Sequence, residues 1–146
     1  MSGAMAERLA LRYGAGLAED TVVFSSDGNG GGLARSKRCG YDKGLRCAMI
    51  VRFPEKWRHL APGAPGREVR APVTFIDLAP TALSLAGIAK PAHMQGSALL
   101  GPSAAKPTRY AFGMRNRMDE RYDMSRTVTD GRYRYIRNYS PHRPWG

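Results

Sequence analysis

The stretch Thr21-Val22-Val23-Phe24-Ser25-Ser26-Asp27-Gly28-Asn29-Gly30-Gly31-Gly32 passes from β-branched and apolar residues straight into a run that no strand can continue. Its first part has the composition of a strand buried on both faces, as in a parallel sheet. A second such run, Cys47-Ala48-Met49-Ile50-Val51-Arg52-Phe53, is stopped by Pro54. The residues between them carry no helical period and exceed the usual length of a connection in an α/β domain. Loops of that length are more often functional than idle, so the chemistry is sought there first.

Outward from this pair, Met5, Leu9 and Tyr13 fall at i, i+4 and i+8 and predict a short helix over 4–13, ended by Gly14 and Gly16. Residues 54–72 are proline-rich and read as an irregular surface connection. Residues 77–86 read as a helix, with Pro80 in its first turn, Gly87 past its end, and Leu78, Ala82, Leu85 and Ala86 as its apolar stripe. Residues 89–108 return to loop. Residues 110–114 are strand-like, and 126–129 and 132–136 flank Asp130-Gly131, a strong hairpin signal. The pattern predicts an α/β portion over 1–105 and a small antiparallel β subdomain over 106–146.

The chain has 146 residues, enough for one domain of ordinary size, and its 42% of apolar residues can supply a core. Lys and Arg number 23 against 12 Asp and Glu, a net charge of +11. That balance favours sulfated, phosphorylated or carboxylated ligands, nucleic acid or anionic surfaces without choosing among them. No apolar run approaches the roughly 20 residues of a membrane-spanning helix, so no membrane partner is expected. The first residues hold no apolar signal core. Cys39 and Cys47 cannot build a disulfide framework or a four-thiolate zinc site.

A strand followed by a glycine-rich loop suggests a phosphate cradle, but neither nucleotide pattern fits. Arg35 follows Gly30 where the G-x-x-x-x-G-K-[ST] pattern continues with glycine, and Leu33 stands where the dinucleotide pattern needs a third glycine. What the loop does hold is Asp27 and Asn29, oxygen ligands of the type Ca²⁺ or Mg²⁺ prefers, with Lys37 and Arg38 behind them to meet an anion. Taken alone, a D-x-N pair is more often a turn than a metal site.

The neighbouring motifs change that weighting. Phe24-Ser25-Ser26-Asp27-Gly28-Asn29-Gly30, then Lys37 through Arg46, then Met49-Ile50-Val51-Arg52-Phe53-Pro54 resemble the C-terminal half of a sulfatase. The likeness continues in Phe75-Ile76-Asp77-Leu78-Ala79-Pro80-Thr81, Leu85-Ala86-Gly87-Ile88, Met94-Gln95-Gly96 and Asp130-Gly131-Arg132-Tyr133-Arg134-Tyr135-Ile136-Arg137-Asn138. It implies the C-terminal part of an alkaline-phosphatase-like α/β sulfatase domain, and, for the complete enzyme, hydrolysis of a sulfuric ester on a sulfated small molecule or glycan. By the same resemblance Asp27 and Asn29 are ligands of the active-site Ca²⁺ or Mg²⁺. Gly28 intervenes where the family places the second ligand directly after the first. Lys37 matches the lysine that binds the sulfate oxygens, with Arg38 and His93 as further candidates for the substrate cleft. Family members are commonly periplasmic or secreted.

One departure bears on catalysis. The family's formylglycine nucleophile is made from Cys or Ser in a C/S-x-P-x-R motif, and neither cysteine nor any serine here has proline two residues later. The paired Asp ligands of the family's N-terminal part have no counterpart either. The expectation is therefore a sulfatase fragment that is inactive alone and is completed by an N-terminal half.

Residues 109–143 mix nine arginines with five tyrosines, a pattern that single-stranded nucleic-acid binders use. The competing reading, a strand surface with Tyr133, Tyr135 and Tyr139 on one face and packed on a helix, agrees with the resemblance, which makes nucleic acid the less favoured partner. Arg115 and Arg117 are read as lining a polyanionic substrate's path. The alternative function is a non-catalytic basic module that binds sulfated glycans or nucleic acid.

Overall fold

The computed structural model describes residues 13–29, 32, 35–118 and 121–142. Two short strands, β1 (Val23–Ser26) and β2 (Met49–Arg52), pair antiparallel, with Val23 opposite Arg52 and Ser26 opposite Met49. This corrects the parallel arrangement expected from their composition. A parallel pair needs a crossover of a dozen or more residues, usually a helix. The connection here holds one helical turn, α1 (Asp42–Leu45), and folds back, so that the Asp27 N–H still donates to Ala48 O at 3.1 Å. The helix expected over 4–13 lies outside the described residues except for Tyr13.

The composition of β1 and β2 suits burial on both faces, yet both faces are partly open. Ile50 is 67% exposed on one and Phe24 is 38% exposed on the other. Downstream, the connection expected to be irregular begins with a 3-10 helix (Glu55–Leu60). It is pinned to the segment before β1 by the Lys56–Asp20 ion pair and by Trp57 Nε1 donating to Asp20 O.

A 3-10 turn (Phe75–Asp77) runs into α2 (Leu78–Leu85), and Gly87 at φ 69° ends it as expected. The buried face is not the predicted apolar stripe. Asp77, Thr81 and Ser84, at i, i+4 and i+7, are buried, while Ala82 and Ala86 are exposed. The reason is the loop after α2, which supplies polar groups rather than a hydrophobic surface. Ser97 N–H donates to Asp77 Oδ1, Leu99 N–H to Thr81 Oγ1 and Ser103 N–H to Ser84 Oγ, at 2.9, 2.9 and 3.0 Å. Asp77 also accepts from Thr74 N–H and Oγ1 through its other oxygen, closing a capping box. Ala82, Leu85 and Ala86 of the stripe are left lining an open groove with Val22, Phe24, Trp57 and Leu60.

The C-terminal segment forms a separate antiparallel sheet in the order β3 (Ala111–Met118), β4 (Arg121–Thr129), β5 (Arg134–Asn138). The β4–β5 hairpin turns at Asp130-Gly131, as the dipeptide predicts, with Gly131 at φ 90°. Its inner face carries Gly113, Arg115, Asp123, Ser125, Thr127 and Arg134. The outer face presents Phe112, Met114 and Tyr135 to solvent. Tyr133 and Tyr139 are exposed as well, so the tyrosines are not packed as the strand-surface reading expects.

Among the described residues the buried apolar side chains are few and small: Ala18, Ala98, Pro54 and Pro80. The chain exposes 10896 Å², against about 7,400 Å² for a compact protein of its 16.0 kDa mass. The fold is held chiefly by its hydrogen-bonded loops and by its two sheets.

Candidate functional site

The functional candidates hang from the connection between β1 and β2. Asp27 sits at the end of β1 with its side chain exposed. Asn29, two residues on, adopts the left-handed conformation at φ 53°, which asparagine tolerates better than most residues. Its N–H donates to Cys47 Sγ at 3.3 Å, and the Cys47 thiol lies 3.4 Å from Asn29 Oδ1. Asn29 is thus held against the residues just before β2.

Two oxygen-bearing side chains at one strand end match Ca²⁺ in type, although that ion takes six to eight oxygen ligands. No group of three or more His, Cys, Asp or Glu with metal-holding geometry occurs among the described residues. The fit is thus one of donor chemistry and not of a full shell. Any remaining ligands would come from outside this set.

Lys37 and Arg38 are exposed on a tightly wound loop. Cys39 N–H donates to Ser36 O at 3.1 Å, Arg38 takes φ 81°, and Gly44 fits against the carbonyls of Ser36 and Cys39 where no Cβ has room. Among the described residues of the loop Ser36 and Gly44 are buried, while Lys37 faces outward. An exposed ammonium on a held backbone can meet an anion.

The loop rests on the inner face of the C-terminal sheet. Leu45 packs over Gly113, where a Cβ would lie 2.7 Å from Leu45 Cδ1 and 2.9 Å from Thr127 Cγ2. Arg115 donates through Nη1 to Arg38 O at 3.0 Å and reaches Cys39 Sγ at 3.7 Å, while Nη2 pairs with Asp123. Ser125 Oγ donates to the other Asp123 oxygen at 2.6 Å. Arg134 donates to Thr127 Oγ1 and to Asp42 Oδ1, both at 3.2 Å. The expectation that Arg115 lines a substrate path is corrected here. Its guanidinium is committed to a nearly buried carboxylate, because an unpaired charge inside the sheet would be costly. Arg117 is exposed beside the register shift in β3.

His93 is exposed in the turn after α2, and no hydrogen bond or ion pair among the described residues ties it to the Lys37 loop. Its neighbourhood is braced instead by Lys90 Nζ, which donates to Met94 O and Gly96 O. Cys39 and Cys47 are both unpaired thiols. Sequence reasoning missed the roles of Asp123, Thr127 and Arg134. The available signal was the alternation of polar residues along β4, which marks a polar inner face rather than an apolar one.

Residues 34–146 match the family model for the C-terminal part of N-sulphoglucosamine sulphohydrolase. Two relatives from Formosa agariphila, each described as an ulvan-active sulfatase, are 41% identical over 128 residues and 28% identical over 131 residues, which is 86% and 85% of this chain. The chain spans 20% and 24% of the length of those relatives. A solved structure of a protein in complex with its substrate D-glucosamine-2-N,6-O-disulfate shares the fold, with a TM-score of 0.68 at 18% identity over 96% of this chain and 30% of that one.

Proposed function

This chain belongs to the sulfatase family, as a C-terminal segment of the N-sulphoglucosamine sulphohydrolase type, and we propose that it supplies the sulfate-contacting side of a sulfuric ester hydrolase acting on sulfated glycans. The observation that carries this reading is that the family match runs through a loop whose backbone is locked while Lys37 stays free to face solvent. Its ammonium would hold the sulfate oxygens and offset the charge that builds up as the ester breaks. Asp27 and Asn29 would be two of the ligands of a Ca²⁺ or Mg²⁺ ion, which when bound would neutralise the same sulfate. Arg38 and His93 would border the substrate. The glycan class is supported by the ulvan-active relatives and by the sulfated sugar bound in the structural neighbour.

The attacking group is not among these residues, since no C/S-x-P-x-R motif is present. What the chain does is bind and orient. Turnover would require the remaining part of a sulfatase domain, for which the open faces of β1 and β2 and the groove along α2 offer a surface. The test is a chimera in which this chain replaces the corresponding segment of the 41%-identical ulvan-active sulfatase. The chimera should release sulfate, Lys37→Ala should slow it by about 10²-fold or more, and the isolated chain should release none. A Lys37→Ala chimera as fast as its parent would reject the assignment.

A second reading is favoured by one specific surface. On the outer face of the C-terminal sheet Arg126 lies directly opposite Arg137, and Arg137 stacks on Tyr139 at 4.8 Å. Like charges directly opposite are unfavourable unless an anion joins them. A non-catalytic module that holds sulfated glycans or nucleic acid would use this face, and its binding would ignore both Lys37 and chelators.

A further inference from the structure

The Lys37 loop has two anchors of the same kind. Arg115 on β3 and Arg134 on β5 stand on either side of β4, and each divides its guanidinium between the sheet and the loop. Arg115 holds Asp123 with one nitrogen and Arg38 O with the other. Arg134 holds Thr127 with one and Asp42 with the other. The held groups both follow Lys37 closely: a carbonyl one residue after it and a carboxylate at the start of α1. Gly113 completes the seat by leaving room for Leu45.

We propose that Arg115 and Arg134 are positioning residues that make the β3–β4–β5 sheet the frame for the sulfate-contacting loop. The proposal rests on the reading of Lys37 given above, and adds to it the reason the small sheet belongs to the site. Arginine suits the place because its planar fork presents separate nitrogens to two partners in fixed directions, whereas lysine offers one nitrogen on a flexible stem. The frame acts through the backbone of Arg38 and not on the anion. The sheet thereby holds the backbone next to Lys37, whose own side chain stays exposed.

The test compares the chain with Asp42→Ala, which cuts the Arg134 link from the exposed loop side. It also uses the double variant Arg115→Met/Asp123→Leu, which removes both charges of the pair and so avoids stranding one of them. Amide exchange is read at Cys39, Gly44, Leu45 and Arg46, whose N–H groups close the loop internally. Affinity is read by titration with D-glucosamine-2-N,6-O-disulfate. Both variants should speed loop exchange at least tenfold and weaken sugar binding several-fold, while β4–β5 amides and the unfolding midpoint stay in place. Arg115→Lys should not restore the loop. Loop exchange unchanged in both variants would overturn the frame. Undiminished sugar binding by Lys37→Ala would instead overturn the reading of Lys37 and leave the loop-exchange result standing.

Discussion

Arg115 on β3 and Asp123 on β4 form a nearly buried ion pair, and the second nitrogen of Arg115 holds the carbonyl of Arg38, the residue after Lys37. A contact inside the C-terminal sheet thus sets the backbone of a loop more than seventy positions earlier in the chain. Buried pairs of this kind contribute little net stability compared with an apolar replacement, but removing one partner alone typically costs about 3–5 kcal/mol. Their value here lies in geometry.

The seat under Leu45 is tested by Gly113→Val. The added atoms would meet Leu45 Cδ1 and Thr127 Cγ2 at well below contact distance, and overpacking of this sort costs about 1–3 kcal/mol. Chemical denaturation should show that loss. Pairing the change with Leu45→Ala should recover part of it, since the clash is shared by those two side chains.

Thr81 is fully buried, donates to Asp77 O at 2.5 Å and accepts from Leu99 N–H. Thr81→Val keeps the shape and leaves the buried Leu99 N–H without its acceptor, so a loss of about 1–3 kcal/mol is expected. An unchanged denaturation midpoint would show that the loop after α2 does not depend on this side chain.

Asp130 at the β4–β5 turn accepts the N–H groups of Tyr133 and Arg132 at 2.7 and 2.9 Å. These bonds, that of Tyr133 foremost, hold its carboxyl below the usual carboxylate value. A carboxylate whose folded pKa is depressed adds stability above its unfolded value of about 3.9, and that stability is lost as pH falls through the folded value. An NMR titration should place the Asp130 midpoint below that of an unstructured aspartate, with the hairpin amides losing protection over the same range. Asp130→Ala should abolish that acid-dependent change.

The proposed ligands Asp27 and Asn29 would offer a cation only two side-chain oxygens, both on exposed residues. Calorimetric titration of the isolated chain with Ca²⁺ should therefore detect binding no tighter than about 10⁻⁴–10⁻³ M, the range of weakly built sites. Asp27→Ala should remove it. Micromolar affinity in the isolated chain would mean that a fuller ligand set exists than these two residues provide.

Much of this was legible in sequence because it is local. Asp130-Gly131 names its own hairpin, Gly87 stops α2, and the ordered motifs from Phe24 to Asn138 point to the family that the match over residues 34–146 establishes. The pairing direction of β1 and β2 was not legible. Apolar β-branched runs look alike in parallel and antiparallel sheets, and the deciding feature is how the long connection folds. The buried face of α2 was misread for a similar reason. Periodicity finds apolar stripes, but here the loop at 97–103 satisfies Asp77, Thr81 and Ser84 through hydrogen bonds. The arginine anchors escaped because Arg115 and Arg134 are separated from their loop partners by 77 and 92 positions.

Whether Lys37 is the anion contact of this chain is decided by an ¹⁵N NMR titration with D-glucosamine-2-N,6-O-disulfate. Shifts should concentrate at Lys37 through Tyr41 and be absent in Lys37→Ala. Shifts spread over Arg126, Arg137 and Tyr139 instead, and unaltered by Lys37→Ala, would contradict that assignment and make the outer arginine face the binding surface.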